Sequence, residues 1–117
     1  TRLTFRSRQK LRVAAEFERT RQGRRLGDGL FGLQYVGNEL GHARLGMAVG
    51  LKAVGTGVRR NRVRRLIRES FRLHQHELPA VDLFVTARVG VRAAEAAAIR
   101  ASLARLWSQL RARGASA

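Results

Sequence analysis

The chain has 117 residues, 44% of them hydrophobic, which suits one domain with its own core rather than two domains of ordinary size. Its 24 basic residues outnumber 8 acidic ones and give a formal net charge of +16, more than solubility requires. Because this charge repels itself in the folded protein, we expect an acidic partner. No apolar run could span a membrane and the N-terminus lacks an apolar leader, so we expect a cytoplasmic protein without a membrane partner.

Arginine dominates the basic residues and makes nucleic acid the expected partner. Lys10 and Lys52 are the only lysines, so the other 22 basic residues are arginine. A guanidinium group binds phosphates through paired hydrogen bonds and stacks on bases. A GC-rich genome would also favour arginine codons, which explains the choice of residue but not the net charge. The absence of cysteine excludes disulfides, thiolate nucleophiles and cysteine-based zinc sites.

The first predicted element is a short helix over residues 11–22, preceded by a basic N-terminal arm over residues 1–10. Gly23 follows the helix as a stop signal. The apolar residues that share one side of this helix are Leu11, Ala14, Ala15 and Phe17.

Two strands are predicted next, over residues 30–36 and 43–51, joined as a β-hairpin by a turn at residues 37–41. In the second strand, one face is bulky and apolar (Leu45, Met47, Val49 and Leu51), and the other is nearly bare (Arg44, Gly46, Ala48 and Gly50). A bare face could receive a partner, or the glycines could accommodate a bulge or a closely packed helix. The pattern leaves both interpretations open.

The second half of the chain predicts a helix over residues 58–74, a strand over residues 81–88 and a helix over residues 93–111. Residues 113–117 are expected to be a frayed tail. The first of these helices buries Val63, Leu66, Ile67, Ser70 and Phe71, and the second buries Ile99, Leu103, Leu106, Trp107 and Leu110. The element order predicts one α+β domain over residues 1–117, a two-layer sandwich of helices on a single sheet.

The helix over residues 58–74 presents a cationic face opposite its apolar stripe. The residues of this face are Asn61, Arg64, Arg65, Arg68 and Arg72, with Arg59, Arg60 and Arg62 clustered at the helix start. A solvated charged face is the ordinary explanation. Against it, Glu69 is the only acid between Gly55 and Arg72, so pairing within the helix cannot neutralise the arginines. Cations at a helix N-terminus also oppose the macrodipole, a cost that a phosphate backbone would reverse.

This segment resembles a known family. The residues Lys52, Gly55, Val58, Arg60, Asn61, Arg62, Arg64, Arg65, Leu66 and Arg68 are similar to the signature of the bacterial ribonuclease P protein subunit, which opens a basic helix with an Arg-Asn-Arg triplet. The resemblance is strongest over residues 44–91. It implies a four-stranded sheet, three helices and a left-handed βαβ crossover, against the usual handedness.

The family resemblance also implies a division of labour. The RNA subunit of ribonuclease P cleaves precursor tRNA with magnesium ions, whereas the protein binds that RNA and the 5′ leader of the substrate. The resemblance therefore implies a non-catalytic subunit of an endoribonuclease, without a catalytic residue, metal or cofactor of its own. No obligate protein partner is expected.

The resemblance assigns two groups of site residues. Those expected to contact the catalytic RNA are Lys52, Arg59, Arg60, Asn61, Arg62, Arg64, Arg65, Arg68 and Arg72. Those expected to line a leader cleft between the first helix and the sheet are Arg12, Phe17, Arg21, Phe31 and Tyr35. Phe17 would stack on a base of any identity, which suits a leader of variable sequence. Phe31 and Tyr35 share one strand face, and alternation leaves open whether that face lines the cleft or the core.

Two positions depart from the family pattern. Arg21 stands where the family often has a second aromatic residue, and Leu51 stands where it commonly has a basic one. Leader stacking is therefore expected to be weaker and more electrostatic than is usual for the family.

Other functions receive less support from the sequence. His74 and His76 lack cysteine or carboxylate neighbours in a metal-binding pattern, and the scattered acids do not suggest a two-metal nuclease. A ribosomal protein or RNA chaperone is the main alternative, since composition alone supports any binder of structured RNA. Such a protein would more often carry its charge on long unstructured tails.

Overall fold

The computed structural model describes residues 14–114, apart from the side chains of Ala14, Glu16 and Phe17. These residues form four α-helices and one four-stranded sheet. In chain order the elements are α1 (Ala14–Arg21), β1 (Arg24–Gly27), β2 (Phe31–Gly37), β3 (Arg44–Ala48), α2 (Leu51–Val54), α3 (Gly57–His74), β4 (Val81–Ala87) and α4 (Ala96–Arg113). Short 3-10 turns at Gln75–Glu77 and Val89–Ala93 flank β4. The predicted α+β class and four-stranded sheet are confirmed, with the short helix α2 as an addition.

The strands lie in the order β1-β2-β4-β3. β2 is antiparallel to both neighbours, β1 and β4, whereas β3 is parallel to β4. Because parallel neighbours need a crossover connection, α2 and α3 carry the chain from β3 back to the start of β4. The predicted β-α-β unit is therefore present, and its left-handedness stays a prediction.

The sequence predicted a hairpin between the strands at residues 30–36 and 43–51, which correspond to β2 and β3. This prediction is wrong. β4 lies between β2 and β3, and the hairpin is instead formed by β1 and β2. One face of β4 is buried along its whole length, and on the other face only Asp82 is buried. Alternating residues identify a strand and its faces, but they do not identify its neighbour in the sheet.

Strand β1 was missed by the sequence analysis. It has only four residues, and Leu26 is its one bulky apolar side chain. The turn that follows it is held by Asp28, whose Oδ1 accepts hydrogen bonds from the backbone N–H groups of Leu30 (2.8 Å) and Phe31 (2.9 Å). The Asp28 carboxylate also accepts a hydrogen bond from Ser102, which ties this hairpin to α4.

One face of the sheet carries the hydrophobic core beneath α3 and α4. All five residues predicted for the apolar stripe of α3 are buried, as are all five predicted for α4. Trp107 and Phe71 pack in a T-shaped arrangement, with ring centroids 6.2 Å apart, and Trp107 donates a hydrogen bond to Ser70 Oγ at 2.7 Å. The two long helices are therefore fixed to each other as well as to the sheet.

Helix α1 lies on the opposite face of the sheet. The predicted two-layer sandwich therefore has an additional helix on its other side. Arg19 binds the fully buried Asp82 of β4 (2.7 Å), and Arg44 binds the same carboxylate through two hydrogen bonds of 2.8 Å. Asn38 donates a further hydrogen bond to it. Burial by itself would raise the pKa of Asp82, but the hydrogen bonds from Arg44, Asn38 and Arg19 outweigh burial and hold this pKa below its ordinary value.

Several predicted boundaries require correction. The third strand ends at Ala48, and Leu51 begins α2 with its side chain 60% exposed instead of facing the core. Ala15 is also exposed. At the C-terminus α4 extends through Arg113, which was predicted to be part of the tail. Arg113 is held there by hydrogen bonds to the carbonyl oxygen of Arg25 (3.2 Å) and to Tyr35 Oη (3.3 Å).

Candidate nucleic-acid interface

Helix α3 presents the cationic face that its sequence predicts. Thr56 caps the helix, with its Oγ1 accepting from the backbone N–H of Arg59 at 3.5 Å. Its first turn contains no acid, so the positive end of the macrodipole and the arginines add to one another. The exposed site residues are Arg59, Asn61, Arg62, Arg65 and Arg68, and the half-buried ones are Arg60, Arg64 and Arg72.

Six arginines of this surface have no acidic partner among the described side chains. The ion pairs of the described residues use Glu18, Asp28, Glu77 and Asp82, and none of these acids belongs to α3. Six arginines therefore make no ion pair with any described residue: Arg59, Arg60, Arg62, Arg64, Arg65 and Arg68. Glu69 follows Arg65 by one helical turn and does not pair with it.

Two residues of the Arg-Asn-Arg triplet have distinctive surroundings. Asn61 accepts a hydrogen bond from Arg64 at 3.4 Å, which holds that guanidinium along the helix surface. The Nε of Arg60 is buried and has no hydrogen-bond partner among the described residues. An unpaired buried donor costs free energy, and a phosphate or carbonyl oxygen from a partner would remove that cost.

The basic surface extends beyond α3 to Lys52, which the sequence analysis selected, and to Arg92, which it did not. Lys52 lies exposed on α2, which directly precedes α3. At Gly55, where φ is +103°, a Cβ atom would lie 3.5 Å from Arg92 Nη2 and 3.7 Å from Arg59 Nη1. Both guanidinium groups therefore lie beside the start of α3. Arg92 comes from the 3-10 turn after β4, so only the fold reveals that it joins this surface.

The face of the sheet that contacts α1 forms the candidate cleft. Arg12 and the side chain of Phe17 lie outside the described residues, so their assignment to the cleft stays a prediction. Arg21 is exposed at the end of α1, and its carbonyl oxygen accepts a hydrogen bond from Gln34 at 3.2 Å. Phe31 and Tyr35 are fully buried in the core beneath α3 and α4. The structure therefore assigns these two aromatic residues to the core rather than to the cleft.

The cleft face is bare at Gly27 and Gly32, which are paired across β1 and β2. A Cβ atom at either glycine would lie 3.0 Å from Nη2 of Arg88. The glycines therefore allow the Arg88 guanidinium to lie flat against the sheet, beside a cavity of about 260 Å³. In β3, by contrast, Gly46 is buried and Gly50 lies beyond the strand, which favours close packing of these glycines over an open face on this strand.

Two other kinds of site are absent from the described residues. No helix in this part of the chain is long and apolar enough to cross a membrane. Nor do three or more His, Asp or Glu side chains of these residues come together in a group that could hold a metal ion. The fold and its arginine surface define a small, basic α+β protein with a helix face suited to an extended polyanion.

Comparison with known proteins identifies the family. The family model described as Ribonuclease P matches residues 5–111, which is nearly the whole chain. The chain belongs to the ribonuclease P protein family.

Similar proteins of known sequence carry the description "Ribonuclease P protein component". The one from Serratia proteamaculans is 49% identical over 70 residues, and the one from Escherichia coli (strain K12 / DH10B) is 50% identical over 70 residues. Each match covers 60% of this chain and 59% of the relative. The chain therefore aligns with less than two thirds of the length of these curated relatives.

Solved structures extend the comparison to the fold. The ribonuclease P protein of Staphylococcus aureus has a TM-score of 0.80 and 30% identity, covering 86% of this chain and 94% of that one. The corresponding protein of Thermotoga maritima has a TM-score of 0.76 and 26% identity, covering 86% of this chain and 96% of that one. Both similarities span most of the described residues.

Proposed function

We propose that this chain is the protein subunit of a bacterial ribonuclease P. It binds the catalytic RNA and the 5′ leader of precursor tRNA, and so promotes 5′-end maturation of tRNA in the cytoplasm. Family membership supports the subunit role. The residue-level evidence comes from the α3 face and the cleft on the opposite side of the sheet.

The observation that carries the proposal is the set of six α3 arginines without acidic partners among the described residues. Acids one helical turn away would stabilise such charges within the helix. A folded RNA supplies closely spaced phosphates instead, and each contact releases condensed counterions. Lys52, Arg72 and Arg92 extend the same surface at its two ends. This surface is the proposed contact with the catalytic RNA.

The α1 face of the sheet is the proposed binding site for the leader. Arg19 and its ion pair with Asp82 fix α1 across this face, which leaves Arg21 exposed at one end. Phe17 and Arg12 belong to the same segment of chain and are proposed to contact leader nucleotides. Phe31 and Tyr35 are buried in the core and so would not contact the leader. The leader would therefore be bound by electrostatic contacts and by one aromatic residue, Phe17.

The proposal assigns hydrolysis to the RNA subunit, with magnesium ions bound there. This chain would contribute affinity and positioning, and it needs neither a cofactor nor an obligate protein partner for that role. Its positive charge would also reduce repulsion between the catalytic RNA and the substrate RNA, an effect that is strongest when magnesium is scarce.

A binding comparison tests the proposal against a ribosomal protein or RNA chaperone. The affinity of the chain for a bacterial ribonuclease P RNA is measured beside its affinity for a ribosomal RNA fragment of equal length. We expect selective binding of the ribonuclease P RNA, and we expect the combined changes Asn61→Ala and Arg62→Gln to reduce that selectivity. Both side chains are exposed, so the fold should be retained.

Arg100→Gln is the matched control, because Arg100 is an exposed helical arginine on α4 with no ion pair to a described residue. It removes one positive charge without touching α3. Equal affinity for the two RNAs, or equal losses in the control and the α3 variant, would favour the general RNA binder.

A further inference from the structure

A second basic site lies at the edge of the sheet farthest from β3. β1 and β3 are the two edge strands of the sheet. Along the chain, α3 follows β3 after the short helix α2. At the β1 edge, a cavity of about 750 Å³ opens between the strand and the last turns of α4. Its lining residues are Arg25, Leu26, Gly27, Arg88, Gln109, Ala112 and Arg113.

Three arginines and no acid line this cavity. The nearest carboxylate on the β1–β2 turn, that of Asp28, is already occupied by Arg105 (3.6 Å), Ser102 and two backbone N–H groups. Like charges in a shared cavity repel one another, and no acidic side chain in the lining offsets that repulsion in the free protein. An anion would supply that compensation.

Carbonyl and hydroxyl oxygens hold two of the three guanidinium groups in place. Arg88 Nη1 donates to the carbonyl oxygen of Asp28 at 2.6 Å, and Arg113 Nη1 donates to the carbonyl oxygen of Arg25 and to Tyr35 Oη. These neutral acceptors fix the side chains but do not cancel their charge. A guanidinium has five N–H donors, so each arginine retains donors for a ligand. The side chain of Arg25 has no hydrogen-bond partner among the described residues.

The cavity adjoins the cleft on the α1 face of the sheet. The cleft-side cavity of about 260 Å³ is also lined by Arg25, Leu26 and Arg88, together with Gly32, Gln34 and Thr86. The two cavities therefore meet around β1. A flexible single strand of RNA that crosses the bare sheet face would follow this edge into the cavity of about 750 Å³.

Ordinary structural roles account for only part of the arrangement. A cation in the last turn of α4 is favourable to the helix dipole, which explains Arg113, and charged residues on an edge strand oppose sheet-to-sheet aggregation, which explains Arg25. Neither role requires Arg25 and Arg113 to line the same cavity as Arg88, and neither requires that cavity to lack acidic side chains.

We infer that the cavity between β1 and the end of α4 binds the phosphodiester backbone of single-stranded RNA. The chemistry is that of arginine and phosphate, without sequence readout. In the context of the proposed function, on which this part of the inference rests, the strand is either leader RNA beyond the cleft or a single-stranded segment of the catalytic RNA.

The direct test uses the full chain and oligouridylate, with affinity measured over a range of salt concentrations. Each lost phosphate contact on a single strand should reduce the slope of log affinity against log salt by about 0.7, so Arg25→Gln should reduce it by that amount. The change Arg25→Gln removes no hydrogen bond to a described residue, so the variant should fold normally and its slope should report RNA binding. Arg113→Gln should act in the same direction, with its thermal unfolding measured in parallel. A slope for Arg25→Gln equal to that of Arg100→Gln would overturn the inference.

Two further arms identify the source of the RNA. In the first, holoenzyme made with Arg25→Gln is assayed with precursor tRNAs whose leaders increase in length, and a loss confined to long leaders assigns the site to the leader. In the second, the variant is titrated with ribonuclease P RNA alone, and a loss there assigns the site to the catalytic RNA. Because the oligouridylate result does not involve either RNA, the site can fail while the proposed function stands, and the reverse also holds.

Discussion

Replacing Arg65 and Arg68 together by glutamine should weaken the salt dependence of binding to ribonuclease P RNA. Both side chains are exposed on α3, and neither has an ion pair with a described residue, so the change should remove two phosphate contacts without disturbing the fold. Each contact contributes about 0.7 to 0.9 to the slope of log affinity against log salt, so the double variant should lose about 1.4 to 1.8 units. Over about a fourfold rise in salt, wild type should lose about tenfold more affinity than the variant.

The assay is equilibrium binding at a series of salt concentrations with magnesium held constant, and thermal unfolding is measured to confirm that the variant is folded. Arg100→Gln serves as the charge control and should leave the slope within about half a unit of wild type. An unchanged slope in the double variant would refute the reasoning, because it would mean that Arg65 and Arg68 point into solvent in the complex.

Three further predictions concern the core, the buried carboxylate and the cleft. Phe71→Ala should reduce the free energy of unfolding in urea by about 3 to 5 kcal/mol, because Phe71 is fully buried; a loss below about 1 kcal/mol would contradict its place in the core. Asp82→Asn removes the buried carboxylate that binds Arg44 and Arg19 and should cost about 3 kcal/mol. Since the pKa of Asp82 is lowered on folding, its stabilisation is complete above the ordinary carboxyl pKa of about 4 and is lost as pH falls through the folded value. The pH dependence of unfolding should therefore be shallower in this variant under acidic conditions, and an unchanged profile would count against the network. Phe17→Ala should reduce holoenzyme affinity for precursor tRNA more than for mature tRNA, whereas equal losses would identify Phe17 as a core residue.

The sequence predicts α3 and α4 well because each helix has a regular apolar stripe. In α3 the predicted buried residues are the observed ones, and the opposite face follows from the same periodicity. The arginines of the candidate site could therefore be placed on one surface before the structure was known.

The sheet was less predictable because strand pairing depends on long-range contacts. The segments of β2 and β3 alternate clearly, but β4, which separates them, lies far along the chain. Alternation also placed Phe31 and Tyr35 on one face without showing which side of the sheet is covered by α3 and α4. The cavity at the β1 edge combines residues from β1, α4 and the end of β4, so no local pattern could indicate it.

The most direct test of the central claim is 5′ processing of a precursor tRNA by a bacterial ribonuclease P RNA at low magnesium, with and without this chain. We expect that the chain restores cleavage at the mature 5′ end, and that replacing Arg60, Asn61 and Arg62 by alanine abolishes the rescue while Arg100→Gln does not. No rescue by the wild-type chain, despite tight binding to the RNA, would contradict the account.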